Sequence, residues 1–461
     1  MESIASGPAP FDPSHVASLT GHQNEIFRNR TGKSALSFAR AEKVMPNGVP
    51  SSFQVNEPWP TYLERGVGSK VWDVDGNEYV DFHNGFGVMV AGHANPVIGE
   101  AVKARIDMGT HFAAPTEGSI VVAEELKRRF GLPHWRFSNS GTEATMDAVH
   151  LARGATGRDI ILKIEGSYHG HHDAVMVSVY PTAETVGDRN DPASHAYGGG
   201  IPDAVAKLTK PVPFNDAQAL ENVLDRMGDQ IAGLIMEPAM MNINIILPRD
   251  GYLQKVRELT RKHGVKLIFD EVKTGATVSP GGMTARSGVT PDMVTLAKAI
   301  CGGYPGAAIG MSDELAALVD SDVVKQYGTF NGNPLVMAAA EATLLKVLTD
   351  DAYAGLEEKN QYLLDGCQAI VDRYGLPAYT EGIGAKGCVI FSDRRMYEFR
   401  DHLEKVNDDL STLAWLYHMN HGIFMTPGSE EEWTISVAHT RDDLDRYLYA
   451  FEEFAKAVTG D

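Results

Sequence analysis

The chain has 461 residues, 43% hydrophobic and 22% charged, a globular balance that excludes wholesale disorder. Its 41 Lys and Arg stand against 61 Asp and Glu, a formal charge of −20. A phosphate backbone or an anionic membrane would be repelled, whereas a small anion needs only a local pocket of donors.

The first twelve residues are poor in apolar side chains, and MESIASGPAPFDPSH lacks the basic region and apolar run of a secretory signal. Helices are predicted near 13–29 and 33–45, the second punctuated by Met45-Pro46-Asn47-Gly48. TYLERGVGSKVWDVDGNEYVDF (61–82) alternates around Asp75-Gly76 and predicts a β-hairpin. From about 95 to 340, helical patterns alternate with the apolar runs WRFSNS (135–140), DIILKIEG (159–166), IAGLIMEP (231–238), VKLIFDEV (265–272) and MVTLAKAI (293–300). Such runs between helices predict an α/β fold with a mostly parallel central sheet covered on both faces. Residues 181–203 have no periodicity and carry Gly198-Gly199-Gly200, so a lid or a disordered loop is expected. Further on, CVIFSD (388–393), GIFMTP (422–427) and WTISVAH (433–439) predict strands of a smaller C-terminal α+β part, closed by a helix near 441–458. The expected division is a helical and hairpin segment (1–90), a large ligand-binding domain (91–345) and a small domain (346–461). No stretch approaches 18 apolar residues, so no membrane span is expected. Cys301, Cys367 and Cys388 are too few and scattered for a disulfide framework, which predicts a reducing, cytoplasmic setting.

An open α/β sheet binds its ligand beyond the carboxyl ends of its strands. Asn139, Glu165, Glu237, Asp270 and Lys298 fall there. In SNSGTEATMDAVHLAR (138–153), Ser140, Gly141 and Thr142 open a helix after a strand. The free N–H groups and two hydroxyls suit a phosphate, and Ser140 equally suits an ordinary N-cap. In FDEVKTG (269–275), Asp270 ends an apolar strand and needs a cationic partner or a turn to cap. In TLAKAICGG (295–303), Lys298 precedes Gly302-Gly303 and either snorkels to water or stays buried as a neutral nucleophile. Together the three match the phosphate, the ring nitrogen and the aldehyde of pyridoxal 5'-phosphate. Tyr168 in SYHGHHD (167–173) could stack on that ring; His169, His171 and His172 lack the partners of a metal site, so no metal is expected.

These motifs resemble the class III pyridoxal-phosphate aminotransferases, in the branch around glutamate-1-semialdehyde 2,1-aminomutase. The resemblance runs from about residue 36 to the C-terminus and includes VWDVDGNEYVDF, GHANP, NSGTEA, EGSYHGHHD, Glu237-Pro238, FDEVKTG, GTFNGNP (328–334) and SVAHT (436–440). It implies fold type I and a homodimer with shared active sites. Lys298 would be the Schiff-base lysine and proton shuttle, and Asp270 the partner of the pyridine nitrogen. Ser140, Gly141 and Thr142 would hold the phosphate, with Thr329 supplied by the second subunit. Tyr168 and Val272 would cover the two ring faces, and Asn242 would reach the phenolic oxygen. Phe86 keeps an aromatic of the substrate pocket, and Glu431 matches a glutamate near the substrate amino group. Gln54 stands where the aminomutases carry an arginine for the substrate carboxylate. The resemblance therefore implies an aminotransferase moving nitrogen between an amine or amino-acid donor and a keto acceptor. The alternative is an aminomutase that keeps the nitrogen on one skeleton; a non-enzymatic binding module would not need Lys298 and Asp270 at these strand ends.

Overall fold

In the computed structural model, which describes residues 12–428 and 432–460, the apolar runs assemble side by side. The main sheet has seven strands in the order His134–Ser138, Ala307–Met311, Met293–Leu296, Lys266–Asp270, Ile231–Met236, Ile160–Ile164 and Thr209–Val212. Neighbours are parallel except Ala307–Met311, which runs antiparallel to both its partners. Ile231–Met236 is buried at every position, as a strand covered on both faces must be. Helix Gly141–Thr156 packs Ala144, Ala148, Leu151 and Ala152 inward and ends on left-handed Gly157.

Two strands of the main sheet went unpredicted. Thr209–Val212 contains Pro211, tolerated because this strand lies at the sheet edge. Ala307–Met311 is made of small residues, and a Cβ on Gly310 would lie 2.6 Å from the Trp135 ring. The 61–82 segment folds as three strands, Leu63–Val67, Lys70–Asp73 and Glu78–Asp81, with the Asp75-Gly76 turn joining the last two. Towards the C-terminus, Tyr379–Ile383, Lys386–Ile390 and Trp433–Thr434 form an antiparallel sheet. Ile423–Phe424 instead pairs in parallel with Glu78–Asp81. The final helix spans Arg441–Thr459 behind a Thr440/Asp443 capping box.

Residues 181–203 are neither loose nor a lid over the cleft described below. They carry the small ladder Gly187–Asp188/Asp191–Pro192, and Arg189 forks onto Glu398 while Arg400 donates to the carbonyl of Gly187. Asp270 pairs with Thr295 in register, so the ends of two central strands meet at one point.

Just beyond it, Glu271 is fully buried and accepts from Thr274 Oγ1, Met283 N, Thr284 N and Thr284 Oγ1 at 2.6–2.8 Å. Burial pushes its carboxyl up despite those bonds. A Cβ on Gly282, which has a left-handed φ of +60°, would sit 2.1 Å from Glu271 Oε2. Glu271→Ala is expected to cost about 3–5 kcal/mol of stability, because buried donors lose their acceptor. A urea unfolding midpoint equal to that of the parent would contradict this.

Candidate active site

A cleft of 440 Å³ opens at the carboxyl ends of the central strands. Ser140, Gly141, Thr142, Tyr168, Asn242, Asp270, Val272, Lys298 and Phe86 all line it, so most of the predicted site residues converge. Asn139 and Glu237 line it too, whereas Glu165 is held by a two-pronged contact with Arg400 at 2.9 and 3.0 Å.

Lys298 follows strand Met293–Leu296 in a 3-10 turn at a left-handed φ of 51°. A non-glycine residue in that region stores strain, a common feature of functional sites. The turn closes through Gly302, where a Cβ would lie 2.5 Å from Thr343 Oγ1 and 2.6 Å from Ile98 Cδ1. Burial, then the charges of Lys273 and Lys386, push the Lys298 amine down to about 7. A fraction of it is therefore neutral and nucleophilic near neutral pH.

Asp270 ends its strand 4% exposed. Oδ1 accepts from Val272 N at 3.0 Å and from Thr295 Oγ1 at 3.2 Å. Oδ2 faces His169 Nδ1 at 2.7 Å. The three histidines of SYHGHHD thus part company: His169 turns to Asp270, His172 Nε2 lies 3.3 Å from Thr145 Oγ1, and the His171 N–H donates to Thr142 Oγ1 at 3.0 Å. Ser140 is the N-cap of helix Gly141–Thr156 and accepts from Glu143 N, so the capping reading holds while the helix N-terminus still faces the cleft. A Cβ on Gly141 would meet Val272 Cγ2 at 3.0 Å and would crowd this wall. The Tyr168 N–H donates to Glu237 Oε1 at 3.2 Å, and its ring stands edge-on to Phe53 with centroids 5.5 Å apart. Phe53 in turn meets Phe86 at 5.8 Å, forming an aromatic wall.

The structure does not bring two of the predicted residues into this cleft. In turn Ser52–Gln54 it is Phe53 that lines the cleft, while Gln54 is exposed. Thr329 lies in a separate groove of 860 Å³ with Phe112, Tyr327 and Asn331. Glu431 lies outside the described residues; its neighbour Glu432 lines the cleft. Glu432 is buried, with Oε1 2.7 Å from Lys386 Nζ and 3.0 Å from Lys273 Nζ. Burial alone would raise its carboxyl, but the two lysines hold it below the usual carboxylate range. Its Oε2 has no hydrogen-bond partner among the described residues. Glu432 had a legible signal: strand alternation from Thr434 puts residue 432 on the same face, and Lys386 Nζ touches both. Lys386 had none, since only the tertiary fold brings it here. No residue of 181–203 lines the cleft.

Residues 52–409 match the family model described as Aminotransferase class-III. The chain is 38% identical over 418 residues to the glutamate-1-semialdehyde 2,1-aminomutase of Syntrophobacter fumaroxidans, covering 90% of this chain and 95% of that protein. Among solved structures it superposes on an omega-transaminase from Sphaerobacter thermophilus with a TM-score of 0.88 at 32% identity, over 92% of this chain and 97% of that one. A glutamate-1-semialdehyde-aminomutase from Pseudomonas aeruginosa in complex with PMP gives a TM-score of 0.90 at 28% identity, over 97% and 99%.

Proposed function

The chain belongs to the class III aminotransferases, enzymes of fold type I that use pyridoxal phosphate, and from that premise we propose that it transfers an amino group between separate donor and acceptor molecules. When bound, pyridoxal phosphate supplies an aldehyde that carries the nitrogen and a protonated ring that draws off the electrons of a breaking Cα–H bond. The residues present fit that group: a helix N-terminus, a carboxylate and a depressed lysine meet in one cleft, and small Gly141 keeps the wall open. Ser140, Gly141 and Thr142 would hold the phosphate, and Asn242 the phenolic oxygen. Asp270 would keep the ring nitrogen protonated between the faces covered by Tyr168 and Val272. Lys298 would capture the aldehyde and afterwards move the proton at Cα.

One observation carries transfer between separate molecules. An aminomutase must hold a substrate carboxylate throughout, and a bidentate arginine does that best. No arginine lines this cleft among the described residues, and the Lys273 ammonium is held by Glu432 at 3.0 Å and the Met241 carbonyl at 2.5 Å. The wall of Phe53, Phe86 and Tyr168 suits donors that present an apolar or aryl group, and Glu432 is suited to the donor's ammonium. The aminomutase reading is kept alive by the 38% identical relative. A panel of amines and amino acids against pyruvate tests the choice. The three buried thiols fit a reducing cytoplasm.

The active form is a homodimer on this reading. Thr329 does not reach the cleft of its own chain and stands exposed beside Tyr327 and Phe330, which are 80% and 57% exposed, an apolar surface a second copy would cover. Mixing inactive Thr329→Asp and Lys298→Ala proteins is expected to restore activity, since one site of the mixed dimer is intact. A fully active monomer by light scattering would contradict it.

A further inference from the structure

Behind Asp270 runs a chain of hydrogen bonds whose protons can be counted. Ser167 Oγ lies 2.6 Å from the Ile164 carbonyl and 2.8 Å from His169 Nε2. A carbonyl only accepts and serine has one hydroxyl proton, so that proton goes to Ile164, and Ser167 accepts from Nε2–H. Across the ring, the 2.7 Å contact of Nδ1 with Asp270 Oδ2 needs a proton of its own. Asp270 Oδ1 already accepts from Val272 N–H and the Thr295 hydroxyl, which favours the ionised carboxylate. The second proton therefore sits on the imidazole. Ser167 is fully buried and His169 is 2% exposed, so water does not substitute for either partner.

We propose that His169 is a positioning residue, kept doubly protonated by Ser167, that forms a buried imidazolium–carboxylate pair with Asp270. The proposal rests on reading Asp270 as the carboxylate that faces the cofactor ring. Its effect is to keep a proton off Asp270: the adjacent positive charge disfavours a protonated carboxyl, so a ring nitrogen beside it retains its own proton. The other charged groups gathered here do not replace this one. His172 is pushed down to about 4 by burial and is neutral, Glu237 is engaged by the N–H groups of Tyr168 and Met241, Lys163 donates to the Ser167 carbonyl, and Lys298 lines the cleft as the reactive amine.

The test is a proton count in full-length protein labelled with 15N-histidine, read with and without cofactor. Two hydrogen-bonded ring N–H signals that vanish together in His169→Asn are expected, and Ser167→Ala should lose the Nε2 signal. In the loaded enzyme Ser167→Ala should lower kcat about tenfold with the donor KM little changed, and Ser167→Thr, which retains the hydroxyl, should recover it. A single N–H signal from His169 in the parent protein would overturn the proposal, whether or not the variants fold. The count needs no turnover, so a chain that moved no amino group would sink the enzymatic reading alone.

Discussion

Lys298→Ala is expected to abolish turnover, with a loss of at least ~10⁴-fold, because capture of the cofactor aldehyde and the proton transfer at Cα vanish together. The structure sharpens the alternatives. Three other lysines are buried or nearly so around the site or its supporting strand: Lys163, Lys273 and Lys386. Lys163 is also pushed down to about 7 by burial, but its ammonium is turned to the carbonyls of Ser167 and Ser178. Lys273 and Lys386 are bound to Glu432. Lys298 lines the cleft at the end of its strand with a depressed amine, so it alone combines access and nucleophilicity. Borohydride reduction followed by peptide mapping should place the cofactor adduct on Lys298; an adduct on Lys273 would overturn the assignment.

Asp270→Asn should slow the chemistry at least ~100-fold, at ~1.4 kcal/mol per tenfold, since on the proposed reading it removes the charge that would keep the ring nitrogen protonated while the volume stays. An asparagine retains one carbonyl oxygen for the Val272 N–H and Thr295, but its amide would face the N–H of His169 or surrender the first pair. Part of the loss is therefore a mispaired network behind the site. Wild-type rates in the purified, cofactor-loaded variant would end the assignment of Asp270.

Much of this was legible in the chain because its chemistry sits at strand ends. Apolar runs such as VKLIFDEV and MVTLAKAI mark buried parallel strands, and the polar residue that terminates each one is conspicuous. Asp270 and Lys298 stood out for that reason, and both reached the cleft. Strand Ala307–Met311 was hidden because close packing against Trp135 requires small residues, which carry little apolar signal. Strand Thr209–Val212 was hidden by a proline that only an edge position accommodates. The order of 181–203 was hidden because Arg189 is tied to Glu398, 209 residues away in sequence, as well as to the nearer Asp216. His169 read as one of three clustered histidines; its partner lies 101 residues on, and only the tertiary fold brings the two together. Gln54 marked the right segment, but the turn directs its neighbour Phe53 inward, a choice that local pattern does not determine.

The central claim is that nitrogen moves between separate molecules. The most direct measurement gives purified, cofactor-loaded protein two tasks in parallel: amino transfer from simple amines and amino acids to pyruvate, and formation of 5-aminolevulinate from glutamate-1-semialdehyde. Steady transfer to pyruvate, strongest with donors that carry an apolar or aryl group, with little 5-aminolevulinate is the predicted result. Efficient 5-aminolevulinate formation with no transfer between separate molecules would contradict it.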